Sequence, residues 1–294
     1  MIVVSAPTGN IGRQVLAHLL SSGEPLRVIA RDPSKLPAET RARVEITVGS
    51  HSDANVLDHA LAGADTVFWL VPADPRAPSA EAAYVDFARP AREAFKAHGI
   101  ERVVSVSALG RGWPKDAGHV TATLKMDDML AETGVAYRAL ACASLMENVL
   151  RQTNLIKTQG DFHWPMRSDL KAPAVATRDV AAVAARLLLD ESWSGVDTIP
   201  MLGPEDLSFE EMMVIISDVL GKPVRYHEMP MTDLKAMMLG RGASEGMAQA
   251  MVDMATAKNE GLDHLLKRTP ADRLNTPTTF RAWSEDVLKP AVLG

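Results

Sequence analysis

Met1-Ile2-Val3-Val4-Ser5-Ala6-Pro7-Thr8-Gly9-Asn10-Ile11-Gly12-Arg13 is the stretch that decides the fold. Met1 to Val4 reads as a short buried strand. A turn carrying Gly9 and Gly12 follows. Val15, Leu16, Leu19 and Leu20 then recur at helical spacing until Ser21-Ser22-Gly23 stops the helix. Strand, glycine turn and helix together aim free backbone N–H groups and a positive helix end at a phosphate. The glycines let the chain approach a pyrophosphate and let the helix pack near the strand. Thr8, Gly9, Asn10, Ile11 and Gly12 are therefore the expected phosphate-binding residues. The first of the three usual glycine slots holds Ala6, and Pro7 has no N–H to donate.

A second apolar run, Leu26 to Ala30, leads into Arg31-Asp32-Pro33-Ser34-Lys35. A dinucleotide fold reads the ribose 2′ position roughly 20 residues beyond its glycine turn. Arg31, with Lys35 a helical turn later, favours a 2′-phosphate, because a guanidinium matches phosphate oxygens bidentately. Asp32 has two readings: it caps the next segment, or it accepts a ribose hydroxyl. NADP(H) is the preferred cofactor, and NAD(H) stays open.

The pattern then continues. Val44–Val48, Thr66–Val71, Arg102–Ser107 and Val135–Cys142 read as further strands, with helices over 53–61, 79–98 and 119–133. Strands separated by helices make a parallel sheet covered on both faces, with ligands beyond the strands' carboxyl ends. Leu70, Val71 and Pro72 fall at that edge and join the expected cofactor contacts. Beyond it, 144–157 looks helical and 160–173 irregular. Residues 177–189 form a capped apolar helix, 197–201 a strand rejoining the sheet, and 208–220 a helix opened by a capping signature at Ser208.

The chain has 294 residues, 47% hydrophobic and 23% charged, enough for a nucleotide-binding sheet and a second lobe. A net charge of −6 without a basic face argues against nucleic acid as a partner. The single Cys142 lies in an apolar run and reads as a buried, inert thiol of a reducing compartment. No signal-like segment precedes the first strand and no apolar run reaches membrane-spanning length, so a cytoplasmic protein without a membrane partner is expected. A homodimer stays open. No His/Cys/Asp/Glu spacing suggests a metal site. Met229, Met231, Met237, Met238, Met247, Met251 and Met254 crowd one region, either as core filling or as the lining of an adaptable apolar pocket.

Placed in this order, several motifs resemble the NmrA-like branch of the atypical short-chain dehydrogenase/reductase superfamily. They are Thr8–Gly12, Arg31–Lys35, Val104–Gly110, Ser144–Asn148, Ala176–Ala184 and Leu202–Ser208. The resemblance covers nearly the whole chain. It implies an α/β Rossmann-type doubly wound parallel sheet with a smaller, mostly helical C-terminal substrate lobe. The expected division is 1–155 for the NAD(P)-binding domain, with 174–203 returning to the sheet, and 156–173 plus 204–294 for the substrate lobe.

The resemblance also implies one of two functions. One is an NAD(P)H-dependent oxidoreductase acting on an apolar, aromatic or quinone-like small molecule. The other is a non-catalytic NAD(P)-sensing protein that regulates a protein partner. The superfamily's Tyr–Lys pair is absent. His119 matches the histidine that such members place before the lysine, Thr123 occupies the lysine slot, and Lys125 stands two positions away. Tyr84, Tyr137 and Tyr226 match neither slot. His119, Ser107 (where the superfamily keeps a substrate-orienting hydroxyl) and Lys125 are the candidate catalytic residues.

Overall fold

The computed structural model describes residues 1–294. The chain divides into two compact units. The first comprises 1–108, 121–141 and 180–199, and the second 109–120, 142–179 and 200–294.

The first unit is built on a parallel sheet. Its strands are β1 (Ile2–Ser5), β2 (Leu26–Ala30), β3 (Glu45–Val48), β4 (Thr66–Trp69), β5 (Arg102–Ala108), β6 (Ala136–Cys142) and an edge strand, Val196–Met201. The edge strand lies beside β6, and the order continues β5, β4, β1, β2, β3. Reversal of the winding between β1 and β4, which pair directly, makes the crevice at their carboxyl ends the natural ligand position. All four residues of β1 and all four of β4 are buried, as helices on both faces require. Leu57, Leu61, Val67, Trp69, Phe95 and Tyr137 fill the core on one side. These are the apolar positions that the strand and helix periodicities marked.

Two departures from the expected elements have a common cause. The stretch 144–157 is not one helix: Ser144–Leu145 pairs in parallel with Ala172–Val175, and a 3₁₀ segment, Met146–Gln152, precedes a short helix, Thr153–Thr158. The expected loop 160–173 contains the strand Asp161–Trp164, paired in parallel with Arg225–Glu228. Both strands are specified by partners far along the chain, which no local periodicity reveals. Cys142, expected to be buried, is half-buried.

The second unit has its own core, with Phe162, Ile216, Phe280 and Trp283 at its centre. Its motifs are tied together by side chains. Glu147 accepts from the Thr177 N–H (3.1 Å), the Thr177 hydroxyl (2.7 Å) and the Trp283 indole (3.2 Å). It thereby satisfies the start of the helix Thr177–Leu189. The Ser208 capping box is present, with Glu211 returning to the Ser208 N–H. No helix in the chain is long and apolar enough to cross a membrane.

Candidate cofactor and active site

The turn after β1 is tighter than its composition suggests. Ala6 has φ +47°, the only non-glycine residue in the chain with positive φ, and its carbonyl accepts from the Gly9 N–H at 3.1 Å. This is the slot where the resembled family places glycine, and the backbone adopts a glycine-like conformation there despite the methyl group. Helix α1 (Asn10–Leu19) then starts against the turn. A Cβ on Gly12 would stand 2.1 Å from the Ala6 carbonyl oxygen, so only glycine permits this approach. The first amides of α1, on Asn10, Ile11 and Gly12, have no intrahelical acceptor and carry the positive end of the helix dipole. These free donors are of the kind that fits a dinucleotide pyrophosphate.

At the end of β2 the structure shows Asp32 in its capping role. Its carboxylate accepts from the Ser34 N–H (3.1 Å) and the Ser34 hydroxyl (2.6 Å), capping the turn Pro33–Lys35. These hydrogen bonds from Ser34, with the Lys35 charge, hold its pKa below the usual carboxylate value. Asp32 is a cap, and Arg31 and Lys35 remain exposed at the strand end. Thr8, Arg13 and Lys35 line a cavity of about 840 Å³ along α1, which extends to Thr40 and Arg43.

The backbone of Leu70, just after β4, is held at both ends. Its N–H donates to the Ser5 hydroxyl at 2.9 Å, and its carbonyl accepts from His51 Nε2 at 3.0 Å. Val71 is half-buried and Pro72 exposed beyond it. His51 is a further residue of this edge. Its only local signal is a lone histidine after a strand, and its role appears when β3 and β4 bring it to Leu70.

The His51 ring is 5% exposed and meets Trp69 and Phe87 edge-on, each at 4.9 Å. Burial, with a smaller contribution from the Arg31 charge, lowers its pKa to about 4. An unfolded chain binds this proton near pH 6.5, so stability is full above pH 6.5 and falls as the pH drops toward 4. At 1.36 kcal/mol per unit, this group removes about 2 kcal/mol between pH 7 and pH 5. Urea unfolding at both pH values should show that loss in the parent protein and a smaller one in His51→Gln. Equal losses would dismiss the buried-histidine account.

Ser107, near the end of β5, is buried, and its hydroxyl donates to the Asp127 carboxylate. Asp127 is 2% exposed on the helix His119–Ala131, and it also accepts from the Tyr137 hydroxyl at 2.7 Å and from Ser105 at 3.4 Å. Tyr137 lies on β6 and its pKa is pushed well up by burial and by the Asp127 charge. Three hydroxyls thus converge on one buried carboxylate. Thr123, in the slot of the family's lysine, is buried and shares a hydrogen bond with Tyr84. Lys125 faces outward: its ammonium is 2.9 Å from Glu81, and both side chains are more than half exposed.

His119 lies in the second unit, where burial lowers its pKa against the opposing effect of a hydrogen bond to the Met247 backbone. The preceding Gly118 lies so close to the helix Glu245–Asn259 that a Cβ would stand 2.0 Å from the Ala250 carbonyl oxygen. His119 is thus half-buried and fixed by its neighbours.

Residues 7–191 match the family model described as NAD(P)H-binding, and the chain belongs to that family. The NAD(P)H azoreductase of Xenophilus azovorans is 28% identical over 287 residues, which are 97% of this chain and 97% of that protein. The Escherichia coli NADPH-dependent quinone oxidoreductase, solved with NADPH, superposes with a TM-score of 0.78 at 21% identity, over 96% of this chain and 97% of the other. NmrA, a negative transcriptional regulator solved with NADP, superposes with a TM-score of 0.73 at 15% identity, over 98% and 95%. The doubly wound fold expected from the sequence is shared with these NAD(P)-binding proteins.

Proposed function

We propose that the protein is an NADP(H)-preferring reductase of an apolar, aromatic or quinone-like small molecule. The observation that carries the cofactor preference is the capping role of Asp32, which leaves Arg31 and Lys35 at the strand end facing solvent. The azoreductase, similar along its whole length, supports the reaction class. In this reading the α1 amides hold the pyrophosphate and Arg31 pairs with the 2′-phosphate. Leu70, Val71 and Pro72 support the cofactor from β4, with the Leu70 peptide fixed by Ser5 and His51. Bound nicotinamide cofactor supplies a hydride. Ser107 offers its oxygen to the substrate while its proton points to Asp127. Lys125, committed to Glu81, has no part in the chemistry.

Arg31→Ala tests the preference. A charge-assisted contact contributes about 1.5–3 kcal/mol, so NADPH should bind about tenfold or more weakly while NADH is little affected. Equal losses for the two nucleotides would remove Arg31 from 2′-phosphate recognition.

His119 is the proton donor in this reading. Removing a positioned acid typically costs about 10²–10⁴ in rate. Turnover of His119→Ala should therefore drop at least about tenfold with NADPH affinity unchanged. Because burial lowers the pKa of His119, parent activity should decline as the pH rises through a value below 6.5. Unchanged turnover in the variant would leave the proton to water.

A further inference from the structure

We propose that the second unit carries a binding site, separate from the dinucleotide cradle, for a small molecule with an apolar ring body and one anionic head group. The site is a cavity of about 420 Å³ within that unit. This volume is within the range of about 300–1,000 Å³ typical of ligand pockets. Its apolar walls are Met229, Met237, Met238 and Met251, with Leu234 and Trp164. Unbranched thioethers adapt to varied flat ligands and favour aromatic edges, so this lining suits a ring more than a single fixed shape.

Charge selects the second half of the ligand. Arg151 and Arg241 both border the cavity, and no carboxylate lines it. Neither guanidinium has a hydrogen bond or ion pair with another residue of the chain. Both are exposed, and other arginines of this unit are paired: Arg167 with Asp169, Arg268 with Asp206 and Arg281 with Asp218. Two uncommitted cations beside an apolar hollow match a carboxylate or a sulfonate joined to a ring.

The walls are also held in place. The Gln152 side chain spans to His163, donating to its carbonyl at 2.6 Å and accepting from its N–H at 3.0 Å. That contact fixes the strand bearing His163 and Trp164 against the segment bearing Arg151. Lys235 of the helix Met231–Gly240 pairs with Glu245 and Gln249 of the helix Glu245–Asn259, which joins the two helices that carry the lining methionines Met237, Met238 and Met251. A preformed hollow spends less binding energy on ordering than a mobile one.

The test is calorimetric, on the full chain with and without NADPH. Naphthalene-2-sulfonate and naphthalene-2-carboxylate are compared with neutral naphthalene-2-sulfonamide. Both anions should bind at least about tenfold more tightly than the sulfonamide, by one charge-assisted contact or more. The Arg151→Gln/Arg241→Gln double variant should abolish that difference while keeping the parent affinity for NADPH and the parent urea-unfolding transition, which shows that both units are folded. Met238→Glu, which places a carboxylate in the hollow, should weaken both anions further. Tighter binding of only one anion would narrow the head group to that chemistry. Equal affinity for sulfonamide and anions, unchanged anion binding in the double variant, or no binding at millimolar concentration would each overturn the proposal.

Discussion

Gly12→Val is expected to weaken NADPH binding by about a hundredfold or more in a protein that still folds. Any Cβ at this position would stand 2.1 Å from the Ala6 carbonyl oxygen and 2.9 Å from its carbon, so α1 must move away from the turn or the turn must open. Ala6 has little freedom to yield, because it is already at φ +47°. Either movement pulls the Asn10 and Ile11 amides off the line along which the helix dipole and the free N–H groups act together. Charge-assisted hydrogen bonds of about 1.5–3 kcal/mol each are lost, so two misplaced amides weaken binding by a hundredfold or more, on the order of the whole pyrophosphate contribution. Titration of the variant with NADPH, beside far-ultraviolet circular dichroism to confirm folding, measures this directly. A folded Gly12→Val that binds NADPH as the parent does would refute the cradle.

The second large effect is expected at Asp127. Asp127→Ala leaves the hydroxyls of Tyr137, Ser105 and Ser107 buried without their acceptor. An unsatisfied buried donor costs about 1–3 kcal/mol, so the variant should lose about 3 kcal/mol or more in urea unfolding. Asp127→Asn keeps one acceptor oxygen and should lose less than half of that. Its turnover separates structure from chemistry. If Asp127 orients Ser107 toward substrate, Asp127→Asn stays folded and turns over more slowly than the parent, with unchanged NADPH affinity. A folded Asp127→Asn with parental turnover would confine the network to a structural role.

These two sites differ in how far they could be read from the sequence. The β1 turn was legible because strand, glycines and helix are contiguous, and each residue's physical requirement is local. Even the departure at Ala6 was visible, although its positive φ was not. The parallel order of the sheet followed from apolar strands alternating with helices. The cap at Asp32 was legible only as an alternative, since choosing it required the position of the Ser34 hydroxyl.

The Asp127 network was invisible in another sense. Ser105, Ser107, Asp127 and Tyr137 are spread over 33 positions on three elements, and their convergence depends on the pairing of β5 with β6 and on the rotation of one helix. His51 was missed for the same reason, its partners Leu70, Trp69 and Phe87 coming from other elements. Lys125, close in sequence to the family's lysine slot, is two residues away on a helix. That rotation of about 200° sends it outward to Glu81. The methionine cluster was legible as composition, with a pocket lining as one of two readings. The strand that supplies Trp164 was expected to be irregular, and only its pairing with Arg225–Glu228 brings the wall into place.

The most direct test of the central reading is steady-state oxidation of NADPH and NADH by the purified protein against a panel of quinones and azo compounds. The account predicts oxidation that depends on the acceptor, with kcat/KM for NADPH about tenfold or more above that for NADH, as a charge-assisted 2′-phosphate contact requires. Tight binding of NADPH with no acceptor-dependent oxidation across the panel would contradict it and would leave a protein that senses the nucleotide without using it.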